Sequence, residues 1–283
     1  MKTFSTTNAL TKYLSQLREN NYTIGLVPTM GALHKGHLSL VTKAMTENSI
    51  VVVSIFVNPT QFNNEDDLIK YPRTLEKDKL LLESLNYTDL IIYAPSATDI
   101  YNNEIKSKHY SFGGLEYEME GAFREGHFDG VGTIVSRLLH VVNPNRAYFG
   151  EKDFQQLQII KKLVKIEGLD VDIVGCAILR EQDGLAMSSR NTRLKKEYRI
   201  AAPFIYKTLK SAKLKFGTKS AKEVTEWVQQ QFENEPLLEL EYFTIASTKT
   251  LKPIMRKRVN SKYRAFIAAY ADDVRLIDNI ALN

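Results

Sequence analysis

The stretch TIGLVPTMGALHKGHLSLV, residues 23–41, decides the fold class of this 283-residue chain. It opens with an apolar β-type run, which passes through a Pro-Thr-Met-Gly turn into a segment with apolar residues at helical spacing. The next run, residues 49–57, is β-branched and almost unbroken, which is typical of a strand buried on both faces. A strand, a helix and a second buried strand in succession predict a right-handed crossover between parallel strands.

The same alternation of strands and helices continues for most of the chain. Further strands are predicted at 89–93, around 147–149 and at 171–179, and further helices at 72–85, 130–142 and 153–166. We therefore predict an α/β fold for residues 1–178, with a doubly wound parallel sheet of Rossmann-like type. Beyond them, two helical patterns precede three β-type runs, at 198–214, 221–232, 238–246, 263–271 and 274–280. This order predicts a smaller C-terminal α+β domain over residues 179–283.

The composition of the chain excludes several classes of protein. A single cysteine, Cys176, rules out a disulfide framework and a cysteine-rich zinc site. The longest apolar stretch, residues 50–57, is too short to span a bilayer, and the first residues lack the apolar core of a signal peptide. We therefore expect a cytoplasmic protein without a membrane partner.

The net charge of the chain is mildly basic. It has 38 Lys+Arg and 33 Asp+Glu, a net charge of +5, and a pI near 9.0. Basic and acidic residues are interleaved except in KTLKPIMRKR, residues 249–258, whereas proteins that neutralise many phosphates usually carry a denser basic stripe. This pattern favours positive charges that are simply solvated rather than charges that form a nucleic-acid-binding surface. A mildly basic protein is equally suited to a small anionic substrate. We expect no nucleic-acid partner.

The loops that follow the predicted strands are the places to search for a site, because open parallel sheets bind ligands at the carboxyl ends of their strands. The first loop, residues 28–37, places backbone N–H groups and the positive end of a helix at that edge, which favours phosphate oxygens. His34 and His37 lie on one side of the helix turn, where imidazolium can donate hydrogen bonds to phosphate. Capping residues, surface residues and a metal pair are the alternatives, although no third metal ligand is apparent.

Two further loops carry polar groups suited to a small substrate and a nucleotide. After the buried strand, Asn58 and Gln61 offer amides that both donate and accept hydrogen bonds; a plain Asn-Pro turn explains Asn58 but explains Gln61 poorly. After the strand near 147–149, Lys152 is suited to a phosphate and Asp153 to ribose hydroxyls. A helix cap and an ordinary surface ion pair explain this second pair equally well.

For each of two more loops, the sequence allows two interpretations. Residues 180–191 combine a glycine, two hydroxyls and a guanidinium near the predicted domain boundary, so this loop either closes over a nucleotide or is a solvated linker. Residues 121–130 are punctuated by glycines before a helix, and they either position a carboxylate or simply connect. The chain has no P-loop motif, no GxGxxG after the first strand and no GxSxG elbow, which argues against kinase-type, dinucleotide-binding and covalent-hydrolase functions.

Six segments, taken together and in order, carry a family resemblance. They are VPTMGALHKGHLSLV, FVNPTQF, YPRT, GHFDGV, YFGEKDFQQL and REQDGLAMSSRN. They closely resemble the pantoate–β-alanine ligase (pantothenate synthetase) family of the HxGH nucleotidyltransferase-like superfamily, densely over residues 23–193 and more weakly beyond. The resemblance implies a homodimeric, Mg²⁺-requiring enzyme that uses ATP to join (R)-pantoate and β-alanine. Pantoate's carboxylate would attack the α-phosphorus of ATP to give pantoyl adenylate and pyrophosphate, and the β-alanine amine would then displace AMP.

The resemblance also implies roles for individual residues. His34, His37 and Lys152 would be catalytic and lie at the ATP phosphates, with His37 as proton donor. Asp153 would face the ribose, and Leu179 would contact adenine through its main chain. The implied ATP-binding positions are Met30, Gly31, Ala32, Leu33, His34, Lys35, Gly36, His37, Gly150, Glu151, Lys152, Asp153, Leu179, Met187, Ser188, Ser189 and Arg190. The last four would form a loop that closes on the phosphates.

The remaining implied positions concern the small substrates and the metal. Gln61 and Gln156 would hold pantoate, Gln61 would also face β-alanine, and Asn58 joins them as a substrate-binding candidate from its chemistry. Asp78 matches a position near Mg²⁺, through water. The chain departs from the family pattern at three places: Glu125 replaces a proline, Asn145 an aspartate and Asn63 a glycine.

Two rival functions remain open. One is a different adenylyltransferase on the same scaffold, which makes a dinucleotide; a phosphorylated acceptor would call for additional arginines in place of Gln61 and Gln156. The other, suggested by the pI, is a non-catalytic nucleotide-sensing or RNA-binding protein, which would bind ATP or RNA without releasing pyrophosphate.

Overall fold

The computed structural model describes residues 1–62 and 65–283, except for the side chains of residues 65–67; Asn63, one of the three departures, lies outside the described residues. The described chain divides into two compact units. The first comprises Met1–Glu151 and Gln156–Ala177, and the second comprises Lys152–Gln155 and Ile178–Asn283. The short segment that begins at Lys152 therefore belongs to the second unit, although its neighbours on both sides in sequence belong to the first.

The first unit is built on a six-stranded parallel sheet with the order β1-β4-β3-β2-β5-β6. Its strands are β1 Lys2–Phe4, β2 Ile24–Thr29, β3 Ile50–Ile55, β4 Leu90–Tyr93, β5 Arg146–Gly150 and β6 Asp172–Cys176. Its helices are α1 Thr7–Glu19, α2 Lys35–Glu47, α3 Glu65–Lys70, α4 Leu75–Glu83, α5 Ala97–Ile100, α6 Met119–Phe123, α7 His127–Val142 and α8 Phe154–Glu167, the last of which begins in the second unit. The predicted α/β class with a doubly wound parallel sheet is confirmed.

The core of this sheet explains why residues 49–57 read as a buried strand. Every residue of β3 is buried, and the facing strands supply fully buried Val27 and Ile92 on either side of Val53. Full burial of one such aliphatic side chain contributes about 1.5–3 kcal/mol, so the central strands fix the register of the sheet. The strand order reverses between β2 and β5, and this switch point places the loops that follow those two strands at the ligand-binding edge.

The second unit contains a three-stranded antiparallel sheet with the order β7-β8-β9. Its strands are β7 Glu239–Ser247, β8 Tyr263–Ala271 and β9 Val274–Ala281, and its helices are α9 Lys196–Ala201, α10 Phe204–Thr218 and α11 Ala221–Glu233. Buried residues of α10 and α11, such as Leu209 and Val228, form one core with Ile267 of β8. The predicted α+β class of the C-terminal part is confirmed.

One local prediction needs correction. The single helix expected at 198–214 is two helices, α9 and α10, because Pro203 has no N–H to continue the first and is tolerated only at the start of the second. The N-terminal β1 and α1 were not predicted at all. In the described part of the chain no helix is long and apolar enough to cross a membrane.

Candidate active site

The N-terminus of α2 is closed by the two histidines of the first loop. His34 is the N-cap residue, and its Nδ1 accepts the N–H of Gly36 at 3.1 Å. His37 Nδ1 in turn accepts the N–H of His34 at 3.3 Å, so that the two side chains form a reciprocal capping box. The two imidazole centroids lie 4.1 Å apart. The capping alternative is therefore correct as a description of these side chains, and each cap uses the Nδ1 atom of its ring.

The capping bonds determine the tautomer of both histidines. A nitrogen that accepts a backbone N–H carries no proton, so each neutral ring carries its proton on Nε2. His34 and His37 thus each present an Nε2–H donor at a helix N-terminus, where anions are stabilised by the helix dipole. Among the described residues no group of three or more His, Cys, Asp or Glu is arranged to hold a metal ion.

The loop before α2 is held in an unusual conformation by Asp78. Gly31 and Ala32 both have positive φ, +81° and +49°. The Asp78 side chain, only 2% exposed, accepts the N–H of Ala32 at 3.0 Å through Oδ2 and the N–H of Leu33 at 2.7 Å through Oδ1. Thr74 Oγ1 lies 3.3 Å from both oxygens. The carboxylate therefore offsets the strain of a left-handed alanine and fixes the backbone that leads into the capping box.

These contacts do not fit Asp78 as a direct ligand of Mg²⁺, whereas the water-mediated position implied by the resemblance stays a prediction. Mg²⁺ prefers nearly octahedral oxygen ligands and keeps several waters, which needs an open carboxylate oxygen. Both oxygens of Asp78 are buried and receive hydrogen bonds from the loop and from Thr74. The side chain of Asp78 holds the loop of residues 31–33 through these hydrogen bonds.

Asn58 and Gln61 lie together in the short 3₁₀ segment that follows β3. Asn58 is 1% exposed, and its Nδ2 donates to Gln61 Oε1 and to the Gly130 carbonyl, both at 3.2 Å. Its Oδ1 accepts from the Tyr101 hydroxyl at 2.6 Å and from Thr60 Oγ1 at 3.2 Å. Because its hydrogen-bonding groups are used within the protein, the geometry favours Asn58 as a support for Gln61 over direct contact with a substrate.

Gln61 is also connected to the first loop and to α7. Its Nε2 contacts the Met30 thioether, which brings the substrate candidate and the beginning of the first loop together. Its backbone carbonyl accepts from His127 Nδ1 at 2.9 Å and from Arg124 Nη2 at 3.1 Å. A Cβ on Gly130 would lie 2.3 Å from the Thr60 carbonyl oxygen, so only glycine lets α7 pack this closely.

The sequence left open whether residues 121–130 position a carboxylate or simply connect, and the structure gives three of them contacts with Gln61. Arg124, His127 and Gly130 position Gln61, and sequence reasoning did not identify them as part of the site. The signal was available, since the GHFDGV segment is one of the six that carry the resemblance, but nothing local in it points to residue 61. Of the departures, Glu125 is exposed, and Asn145 Oδ1 accepts the N–H of Ile24 at 2.8 Å, a bond that an aspartate oxygen can accept as well.

Three further residues of the first unit, which the resemblance assigns to ATP or pantoate, lie at the end of β5 or in the residues that follow it. Gly150 is the last residue of the strand and pairs with Cys176 of β6, and Glu151 follows it. Gln156 is half-buried in the first turns of α8. Burial raises the pKa of the Cys176 thiol to about 11, which leaves it protonated at neutral pH and agrees with the absence of a covalent-hydrolase motif.

The second unit holds the other predicted nucleotide-binding residues. Lys152 Nζ lies 3.6 Å from Asp153 Oδ1, so the sequence-adjacent pair interacts weakly. Residues 180–186 form a narrow turn in which Arg180 pairs with Ala186 and Gly184 has a φ of +96°. The Leu179 carbonyl accepts the N–H of Met187 at 3.0 Å.

The loop that follows this turn is also ordered by its own side chains. Ser188 Oγ accepts the N–H of Arg190 at 3.2 Å and so caps the 3₁₀ helix Ser189–Arg193. Asn191 Nδ2 donates to the Ala186 carbonyl at 3.0 Å. The solvated-linker alternative for residues 180–191 is therefore disfavoured, because hydrogen bonds within the segment order both the turn and the 3₁₀ helix that follows it.

Comparisons with known proteins cover the whole chain. The family model described as Pantoate-beta-alanine ligase matches residues 2–281. The pantothenate synthetase of Christiangramia forsetii is 54% identical over 283 residues, with 100% of both chains covered, and that of Flavobacterium psychrophilum is 57% identical over 270 residues, with 95% of each covered.

Solved structures give the same result. A crystal structure of pantothenate synthetase from Thermus thermophilus superposes with a TM-score of 0.91 at 38% identity, covering 100% of this chain and 99% of that one. A pantoate-beta-alanine ligase from Francisella tularensis, complexed with beta-gamma ATP and beta-alanine, has a TM-score of 0.81 at 36% identity and covers 100% and 98%. The similarity thus extends to both units of the fold.

Proposed function

The chain belongs to the pantoate–β-alanine ligase family, and we propose that it catalyses the ATP-dependent condensation of (R)-pantoate with β-alanine to pantothenate, releasing AMP and pyrophosphate. The resemblance drawn from the six segments is confirmed, as is the assignment of the chain to the enzymes. The observation that carries the assignment of the site is the double-histidine cap of α2, which offers two Nε2–H donors at the positive end of a helix.

In the first step we assign the ATP phosphates to residues 30–37. An oxygen of the pantoate carboxylate attacks the α-phosphorus, the bond from that phosphorus to the bridging oxygen breaks, and pyrophosphate leaves with the electron pair. His34 and His37 donate Nε2–H bonds to phosphate oxygens whose negative charge increases in the transition state. Lys152 and Arg190 add fixed positive charge, so catalysis comes from positioning and charge neutralisation, without a protein nucleophile.

In the second step the β-alanine amine attacks the acyl carbon of pantoyl adenylate, and AMP leaves with the electron pair of the C–O bond. The amine nitrogen loses its proton as the amide forms. We assign pantoate to the side-chain amides of Gln61 and Gln156, and the Gln61 amide is also assigned to β-alanine. The support for Gln61 is that five neighbours hold it: its side chain contacts Asn58 and Met30, its carbonyl accepts from Arg124 and His127, and Gly130 packs against it.

The resemblance implies Mg²⁺ as well, with the role of neutralising phosphate charge. The buried, hydrogen-bonded Asp78 does not fit a direct ligand, so we assign no described residue to the metal and derive no step through it. From the same resemblance we propose a homodimer, which size-exclusion chromatography with light scattering tests. The single buried cysteine is in keeping with a reducing, cytoplasmic location.

A pyrophosphate-release assay tests the proposed function. Release should require both ATP and pantoate, and β-alanine should convert the reaction to multiple turnovers with AMP as product. Release that does not depend on pantoate would point to a different adenylyltransferase, and ATP binding without release would point to a nucleotide sensor. Lys152→Ala should lower turnover by orders of magnitude while the melting temperature stays close to that of the parent chain.

A further inference from the structure

Two adjacent residues of β9, Asp278 and Asn279, contact both of the nucleotide-binding segments of the second unit. Their side chains are buried, with 5% and 2% exposure. Successive side chains of a strand point to opposite faces of the sheet. Asp278 pairs with Ile267, whose side chain belongs to the core shared with α10 and α11, whereas Asn279 pairs with Phe266 on the other face.

On that second face, Asn279 holds the segment that begins at Lys152. Its Nδ2 donates to the Lys152 carbonyl at 2.8 Å, and its Oδ1 accepts from Arg264 Nη1. The Arg264 guanidinium lies 4.1 Å from the centroid of the Phe154 ring, and this ring packs 6.0 Å from that of Phe266. A hydrogen bond to the backbone at residue 152 and a stacked ring two residues later fix the point from which the lysine side chain extends.

On the helix-covered face, Asp278 holds the base of the turn at 180–186. Its two oxygens accept from the Arg180 guanidinium at 2.6 and 3.0 Å, a bidentate ion pair in which the Asp278 side chain is buried and that of Arg180 is 16% exposed. Arg180 also donates to the Gly184 carbonyl at 3.1 Å and stacks 3.5 Å from the centroid of the Tyr206 ring. The turn that Arg180 opens leads directly into residues 187–190.

We propose that Asp278 and Asn279 are positioning residues for ATP: one dipeptide of β9 sets the place of Lys152 and of the 187–190 loop relative to each other. This inference rests on the nucleotide-binding roles proposed above for those segments. A backbone that moves by about 1 Å at such a position can lower the rate on the order of 100-fold, even when every group that touches the substrate is retained. Neither residue of the pair needs to contact ATP for this effect.

Asn279→Asp separates positioning from folding. The aspartate retains an oxygen acceptor for Arg264 and gains charge complementarity with it, but it cannot donate to the Lys152 carbonyl. We expect KM for ATP to rise about tenfold or more and kcat to fall, with KM for pantoate unchanged within about twofold, because only the nucleotide segment is released. If the aspartate variant does not fold, Asn279→Ala, which removes both bonds without adding charge, is assayed for the same change.

A double-mutant cycle with Lys152→Ala gives a readout that a purely structural role would not alter. If Asn279 acts through Lys152, adding Asn279→Asp to Lys152→Ala should cause little further loss, whereas independent effects would multiply. Leu276→Val is the matched control, since it perturbs the buried core of the same strand; it should lower the melting temperature and leave KM for ATP unchanged. Asp278→Asn should raise KM for ATP as Asn279→Asp does.

The outcomes separate this inference from the proposed function. If the parent chain does not release pyrophosphate when pantoate is added, the proposed function itself is overturned. An active parent whose Asn279→Asp and Asp278→Asn variants keep parental KM for ATP would overturn the positioning role alone. So would multiplicative effects in the cycle, or variants of the pair that behave as Leu276→Val does.

Discussion

Asp78→Asn is the substitution that most directly tests how the loop of residues 30–37, to which we assign the ATP phosphates, is held. The carboxylate accepts two backbone N–H groups, from Ala32 and Leu33, in a loop whose alanine has a φ of +49°. Asparagine can accept only one of them, and it turns an NH₂ group toward the other. The change is nearly isosteric, so the buried packing around residue 78 is preserved.

The size of the effect follows from these bonds. Losing a hydrogen bond to a charged acceptor costs about 1.5–3 kcal/mol, and the bond that asparagine retains is weaker because its acceptor is neutral. We therefore expect the free energy of unfolding to fall by about 2 kcal/mol, which lowers the melting temperature by about 4–8 °C in a chain of this size. Because the loop leads into the histidine cap, kcat/KM for ATP should fall by about 30-fold or more, since about 1.4 kcal/mol corresponds to tenfold.

The assay is pyrophosphate release at saturating pantoate with varied ATP, repeated across Mg²⁺ concentrations. Glu76→Gln is the matched control, because Glu76 lies on the same helix with its side chain 81% exposed and pairs only with Lys79 among the described residues; it should change little. If Asp78 instead served the metal, excess Mg²⁺ would restore the activity of Asp78→Asn. Such a rescue, or an unchanged KM for ATP, would refute the anchoring role.

Three other predictions follow from the structure. Gly130→Ala should raise KM for pantoate and β-alanine more than KM for ATP, because its Cβ would lie 2.3 Å from the Thr60 carbonyl and displace Gln61, whereas Gly217→Ala, with open space around its Cβ, should be kinetically silent in the same steady-state assay. Cys176, whose pKa burial raises to about 11, should react with a thiol-specific disulfide reagent at pH 8 only after unfolding; fast labelling of the native chain would contradict its burial. Bonds from the Ser220 N–H and hydroxyl lower the pKa of Glu223 from 4.5 to about 2, so its contribution to stability is complete above pH 4.5 and is lost as the pH falls toward 2. Glu223→Gln should therefore lower the melting temperature at pH 7 by an amount that shrinks in acid, and a deficit independent of pH would count against this account of the α11 cap.

The central part of the fold could be predicted because its signals are local. A continuous β-branched run is sufficient to identify β3, and the change from strand–helix alternation to helices followed by strands identifies the second unit. The break at Pro203 was overlooked although proline is a local signal. β1 has only three residues, Lys2–Phe4, and it forms a strand because β4 is its partner, more than 80 residues away in sequence, so no short-range pattern indicates it.

The candidate site shows the same difference between local sequence signals and long-range contacts. The loops that bear His34, His37 and Gln61 could be found because each directly follows a strand. The residues that hold them could not, since Asp78 reaches Leu33 across 45 positions and Asn279 reaches Lys152 across 127. Contacts of that kind arise from tertiary packing and leave no periodicity in the chain. Asp78 illustrates this, because its carboxylate suggests a cation, whereas the loop backbone that it contacts lies 45 positions away in sequence.

The capping box of α2 also limits how this chain can evolve. Asparagine at position 34 or 37 would still close the helix, and lysine would still offer a donor to an anion, but an imidazole does both with opposite edges of one ring. If the roles proposed for His34 and His37 hold, a change at either position affects both the helix cap and the chemistry. Laboratory evolution toward other acids or amines should leave this pair untouched and draw its diversity from the neighbourhood of Gln61.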